Sequence, residues 1–322
     1  MKYNLKAIAE SIQQNKNIIE KREINPVIQY VEANSFKSSR IFSDIGEDSA
    51  AIKNNDFYVL ITTDRIRTDF IENYPYGAGF SSILVSVDDI YACGGIPVAV
   101  SLIVSFIDEN VCKEIIKGVC EASKRFQVPI IRGHTKARAK CYELSSTMIG
   151  EIKKEDYISA KNAQINDNII LAVDFDGRIG KASKYYFDTT TFKSSEEVLG
   201  KRKAMNIIAQ NQLAHASKDV SNGGIFGTIL QLIKYSDVGA NININNIKIP
   251  PALLSLNYTL ETYIQMYLTT SFILTVPDNK CKQVIEIFGK CGLSATIIGK
   301  IIEEKYVLKL NDGKNTIEAT RF

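Results

Sequence analysis

The stretch Ala78–Phe106, AGFSSILVSVDDIYACGGIPVAVSLIVSF, decides how this chain is organised. Ile83, Val87 and Ile90 fall at helical spacing ahead of a Gly94-Gly95 stop, which predicts a helix over 78–93. The apolar run Val98 to Phe106 then predicts a buried strand. Asp88 and Asp89 lie in the last turns of an otherwise apolar helix. Carboxylates there oppose the helix macrodipole, at a cost of about 0.3–1 kcal/mol, so the placement calls for a compensating cation.

Upstream, Tyr58 to Thr62 reads as a strand with Asp64 just beyond its carboxyl end. Val111 to Phe126 reads as an amphipathic helix, and 128–131 and 143–152 as further strands. This order gives an α+β domain over 39–156. A fresh strand at Asn168 to Val173 opens a second α+β domain over 157–322. It continues with a turn at 174–177, helices over 195–214, 225–235 and 280–290, strands over 271–276 and 295–302, and a connection at Pro250-Pro251. Residues 1–38 form a helical extension of two amphipathic segments split near Asn25-Pro26. A length of 322 residues fits two domains of roughly 150 each.

Composition narrows the function. A net charge of +3 is too small for a nucleic-acid footprint, and 45% hydrophobic with 23% charged residues is ordinary for a globular protein. The run Ile96 to Ile107 is too short to span a bilayer, and no export signal is evident, so a cytoplasmic location is expected. Six cysteines without a C-x-x-C pair read as reduced thiols. Cys93, beside Gly94-Gly95, lacks the neighbours that activate a thiolate.

Five stations carry chemistry: Gly46-Glu47-Asp48-Ser49-Ala50, Thr62-Thr63-Asp64, Asp88-Asp89 with Gly94-Gly95, Arg132-Gly133-His134-Thr135, and Lys218-Asp219-Val220-Ser221-Asn222-Gly223-Gly224. Mg²⁺ takes hard oxygen ligands and prefers carboxylates together with phosphate oxygens, while glycines let backbone N–H groups approach those phosphates. Thr62 and Thr63 can add hydroxyl oxygens. Asp48 and Asp219 also suit a turn and a helix start, and His134 and His215 also suit structural roles.

In order, these stations resemble the superfamily of AIR synthase, thiamine-monophosphate kinase, selenophosphate synthetase and the hydrogenase maturation dehydratase, the PurM superfamily. The matching segments are Gly46–Ala51, Thr62–Asp64, Asp89–Pro97, Gly133–Thr135 and Asp219–Gly224, and the AIR-synthase-related branch looks most similar. The resemblance implies a two-domain subunit that dimerises through its N-terminal mixed sheet and binds ATP with Mg²⁺. It implies Asp48, Asp64, Asp89 and Asp219 as metal ligands, with Asp48 and Asp64 catalytic. Thr63, Gly133, His134, Thr135 and Lys136 would meet the nucleotide. The implied activity is phosphoryl transfer to, or ATP-driven activation of, a small-molecule acceptor. Two alternatives stand beside it: a non-catalytic dimeric nucleotide- or partner-binding member, and a selenophosphate-synthetase-like enzyme lacking the N-terminal Cys. Glu47 departs from the family's usual aspartate but is long enough to reach a metal, and Ser86 and Asp88 stand where relatives tend to have Asn and Ser.

Overall fold

The computed structural model describes residues 3–321. The chain opens with three helices, α1 Leu5–Gln13, α2 Lys16–Glu23 and α3 Asn25–Asn34. A first group follows: β1 Ile41–Ser43, β2 Ala50–Asn54, β3 Phe57–Arg65, α4 Thr68–Asn73, α5 Pro75–Ala92, β4 Ile96–Ser105, α6 Glu109–Phe126, β5 Ile130–Lys136 and β6 Glu143–Lys153. Its six strands form a mixed sheet in the order β1-β2-β3-β6-β4-β5, in which only β4 and β5 run parallel.

Helix α5 is buried on nearly every side because it lies between this sheet and α6. The two helices approach closely where glycines allow it. A Cβ at Gly79 would fall 2.0 Å from the Ile115 carbonyl oxygen, and one at Gly118 the same distance from that of Tyr76.

The second group comprises β7 Asn168–Val173, β8 Arg178–Ile179, β9 Tyr186–Asp188, α7 Ser195–Gln210, β10 Ala216–Asp219, α8 Gly224–Tyr235, β11 Gly239–Asn243, α9 Pro251–Ser255, α10 Leu260–Tyr263, β12 Tyr267–Leu268, β13 Ser271–Val276, α11 Cys281–Lys290, β14 Ser294–Ile302, β15 Val307–Asn311 and β16 Thr316–Arg321. Seven strands make a mixed sheet in the order β10-β13-β7-β14-β11-β15-β16, and β12, β9 and β8 make a small one.

Every residue of β7 is buried, since both faces of the larger sheet are covered. Ile170 and Ala172 join the core that holds α5, α7 and α11, whereas Ile169, Leu171 and Val173 join the core that holds α8 and α1. The first of these cores runs continuously from the N-terminal sheet to the C-terminal one.

Several expectations change. The extension has three helices rather than two, and α1 docks on the C-terminal sheet: Ile8 and Ile12 sit in its core and Gln13 Nε2 donates to the Ala319 carbonyl at 2.6 Å. Strand β3 continues to Arg65, so Asp64 lies within it. Gly133-His134-Thr135 belongs to an edge strand, not a loop, because β5 pairs with β4 as far as Lys136. Pro250-Pro251 leads into the short helix α9.

Candidate functional site

Three elements meet at the carboxylates. Asp48 sits in the turn after β1, where Gly46 takes a φ of +92°. Asp89 lies in the last turn of α5 and Asp219 ends β10. Each offers a carboxylate oxygen within 4.8 Å of the other two. The backbone N–H of Asp219 donates to Asp48 Oδ2 at 3.1 Å, and Lys218 Nζ donates to Asp48 Oδ1. Thr62 Oγ1 donates to Asp89. Asp64 joins the group through a hydrogen bond shared with Asp89 and accepts another from Ser86 Oγ at 2.8 Å. Ser86 is in turn held by Ser146, whose hydroxyl lies 2.9 Å away.

The cluster carries unrelieved repulsion. Burial pushes the carboxyls of Asp89 and Asp219 well above the usual carboxylate range, and the charges of Asp64 and Asp48, respectively, push them further. Asp48 and Asp64 are raised by burial too, against the opposing pull of Lys218 and of the Ser86 hydroxyl. Burial works against the ammonium of Lys218, yet Asp48 beside it carries its pKa above the ordinary lysine value. Buried carboxylates that repel one another, joined by serine and threonine hydroxyls, form an all-oxygen donor set suited to a hard divalent cation. Mg²⁺ fits these residues.

Asp64, Asp89 and Asp219 line a cleft of about 650 Å³. It is also lined by Asn15 and Asn17 of the extension, by Arg65 and Phe70, and by Tyr186 and Tyr267. The two tyrosine rings stack 5.7 Å apart, with Phe70 tilted beside Tyr186. The cleft thus brings amides, an arginine and aromatic rings together with the carboxylates.

Other candidates lie elsewhere. Strand alternation turns Thr63 away from Thr62 and Asp64, and its hydroxyl instead meets that of Thr147 at 3.0 Å. Register places Gly133 level with Asp64 by way of Ser146 and Leu102, three strand spacings or about 14 Å away. Within one chain, Gly133, His134, Thr135 and Lys136 therefore do not meet the carboxylates. Glu47 faces away from the cluster: Ser43 Oγ, Ser159 Oγ and the Ala160 N–H donate to it at 2.5–2.6 Å. Asp88 pairs with Arg202, and His215 Nδ1 lies 2.9 Å from the Asp167 carboxylate. Burial pushes the Cys93 thiol far up, which leaves it inert.

Sequence reasoning missed Lys218 as a partner of Asp48. The signal available was a lysine inside the otherwise buried strand Ala216–Asp219, since lysine is almost never fully buried unless paired.

The family model for the AIR synthase related protein N-terminal domain matches residues 46–152, and the model for the C-terminal domain matches 181–311. Protein MJ0640 of Methanocaldococcus jannaschii is 34% identical over 97% of this chain and 95% of its own length. A thiamine-monophosphate kinase of Buchnera aphidicola is 25% identical over 92% and 95%. Among solved structures, a ThiL complexed with AMPPCP and TMP superposes with a TM-score of 0.69 at 17% identity, covering 91% of this chain and 96% of that one. A PurL chain from Thermotoga maritima complexed with FGAR gives a TM-score of 0.74 at 14% identity. It covers 98% of this chain, which spans about half of the PurL chain. The fold is thus the α+β, two-domain PurM-like fold.

Proposed function

This chain belongs to the AIR synthase related protein family, and from that premise we propose that it is an ATP- and Mg²⁺-dependent enzyme that phosphorylates, or activates with ATP, a small molecule seated in the cleft. The observation that carries this reading is the convergence of Asp48, Asp89 and Asp219 within 4.8 Å, with Asp64 alongside, where Asp64, Asp89 and Asp219 line that cleft. The names of relatives, a thiamine-monophosphate kinase and a selenide, water dikinase, agree with such chemistry.

Asp48, Asp64, Asp89 and Asp219 would hold the cation. When bound, Mg²⁺ draws off phosphate charge. Lys218 and the Asp219 N–H fix the orientation of Asp48, and Ser86 fixes that of Asp64. An oxygen or nitrogen of the acceptor attacks the γ-phosphorus in line. The new bond to phosphorus forms as the bond to the bridging oxygen breaks, that bond's electron pair leaves with ADP, and the acceptor's O–H or N–H proton is released to solvent. Positioning in the cleft supplies most of the catalysis, so no nucleophilic side chain is needed.

The functional unit is a homodimer. Phe57, Ile96, Ile103 and Ile149 leave the face of the N-terminal sheet opposite α5 exposed and apolar, as a second copy's matching face would require. Thr63 and His134 lie on this same face by register. With Gly133, Thr135 and Lys136 they would meet nucleotide at the shared boundary.

Calorimetry with ATP, with and without Mg²⁺, tests the assignment together with the separate variants Asp48→Asn, Asp64→Asn and Asp219→Asn. Tight Mg²⁺-dependent binding that each variant weakens is expected. If all three variants retain binding and turnover, the assignment fails.

A further inference from the structure

Lys21 lies outside both segments matched by the family models, 46–152 and 181–311, yet its side chain ends beside the carboxylate cluster. Its placement is built from several contacts. Helix α1 is anchored in the C-terminal core through Leu5, Ile8 and Ile12. Asn15 then caps α2, its side-chain oxygen accepting from the N–H groups of Asn17 at 3.0 Å and Ile18 at 3.3 Å. Ile18 is buried against the loop that precedes α8. A Cβ added at Gly223, where φ is +100°, would lie 3.4 Å from Ile18 Cγ1. One turn of α2 further on, Lys21 Nζ reaches Ser221 Oγ at 3.2 Å and Gln231 Oε1 at 2.9 Å.

Both of these acceptors are neutral. Lys218 differs, because its ammonium is committed to the Asp48 carboxylate. An ammonium has three donors, and among the described residues Lys21 uses two, both on uncharged groups. Its charge is therefore poorly compensated: burial, and then the nearby charge of Lys218, lower its pKa to about 8, against the pull of Asp219, Asp48 and Asp89. A compact lysine charge with a donor to spare, near enough to Asp219, Asp48 and Asp89 to be acted on by their charges, matches a phosphoryl oxygen. It does not match the cation, which it repels.

We propose that Lys21 binds phosphate: its ammonium donates to a phosphoryl oxygen of the nucleotide held at Asp48, Asp64, Asp89 and Asp219, and the N-terminal extension delivers it there. This rests on the reading of the cluster as a Mg²⁺–ATP site. Ser221 and Gln231 hold the side chain ready before nucleotide arrives, so little rotamer freedom remains to be lost on binding. The extension thereby contributes Asn15 and Asn17 to the cleft lining and adds a cation from outside the two matched segments.

The test uses the full chain and three variants, Lys21→Met, Lys21→Gln and Lys21→Arg, each titrated calorimetrically with Mg²⁺ alone and with ATP in Mg²⁺. Met and Gln are expected to weaken ATP binding about 10- to 100-fold, the range of a hydrogen bond to a charged group, while Arg restores most of it. Mg²⁺ alone should bind the Met and Gln variants as tightly as wild type or tighter, since a repelling charge has gone. Gln keeps polar contacts to Ser221 and Gln231, so its result stands even where Met disturbs the fold. ATP binding unchanged in Gln and Met overturns the role of Lys21 and leaves the nucleotide site intact. Parallel loss of Mg²⁺ and ATP binding assigns Lys21 a structural role and also overturns it. A wild-type protein that binds no ATP in Mg²⁺ overturns both the site reading and this one.

Discussion

Arg202 Nε donates to Asp88 Oδ1 at 2.6 Å, and both side chains are buried. This pair joins α7 of the C-terminal group to α5 of the N-terminal one. The guanidinium also donates from Nη1 to the Val198 carbonyl and lies over the Phe126 ring, 4.9 Å from its centroid. Arg202 is thus the cation that the adjacent carboxylates at the end of α5 call for, and it singles out Asp88 while Asp89 turns to the cluster. Breaking such a buried pair leaves an uncompensated charge. Asp88→Ala or Arg202→Ala should each destabilise the protein by about 3–5 kcal/mol in denaturant unfolding. The double variant Asp88→Leu, Arg202→Met should lose much less than the sum of the two single losses. Additive losses would show that the two side chains do not act as a pair.

Glu47 and Asp48 are neighbours with different work. Glu47 accepts three hydrogen bonds from residues 43, 159 and 160 and so ties the turn to the segment that follows β6. Glu47→Gln should cost about 1–3 kcal/mol of stability, since buried donors lose a charged acceptor, with Mg²⁺ affinity preserved. Asp48→Asn should instead lower turnover about 100-fold or more and weaken Mg²⁺ binding, with a stability loss of its own because the buried Lys218 ammonium loses its charged partner. Equal loss of Mg²⁺ binding in both variants would place Glu47 in the metal shell.

These contrasts show how far the sequence is legible. The helix and strand of 78–106 could be read because long apolar runs at a fixed period are dictated by burial on a single core. Strand β5 could be read only at its apolar start, within the strand expected over 128–131; its continuation to Lys136 could not, because its residues are exposed throughout and its ladder bonds to β4 leave no mark on its own composition. The carboxylates could be recognised as motifs, each beside glycine or a hydroxyl residue. Their partners could not: Lys218 meets Asp48 from 170 positions away and Lys21 meets Ser221 from 200, and only the packing of α1 and α2 on the C-terminal sheet brings the second pair together. The opposite directions of Thr62 and Thr63 follow from the two-residue period of β3, a detail that became readable once the strand was known to continue through Asp64.

The uncovered face of the N-terminal sheet yields a prediction about assembly. Ile103→Glu with Ile149→Glu places charges in the middle of that apolar face, on neighbouring strands. Light scattering should show a dimer for the wild-type chain and a monomer for this variant, with melting of the monomer unchanged beyond the loss of the interface. A wild-type monomer at all accessible concentrations would refute the homodimer.

The raised carboxyls give the protein a pH signature. Asp89 and Asp219 are pushed well above the usual range by burial first, and then by Asp64 and Asp48. For an acid whose folded-state pKa is raised, the stabilising contribution is fully present below the unfolded value, about 3.9, and is lost as pH rises through the folded one. In EDTA, therefore, the melting temperature should fall as pH rises from 5 to 7.5. Added Mg²⁺ should reverse the fall, and the gap between the two curves should widen with pH, because the ionised carboxylates are what the cation binds. Lys21 contributes the opposite slope above its pKa of about 8, where unfolded lysines still hold protons that it has released, so the scan stops short of that range. In Asp89→Asn the EDTA curve should flatten and the gap should shrink. A gap in the wild type that stays constant or narrows with rising pH would show that these carboxylates do not bind the cation.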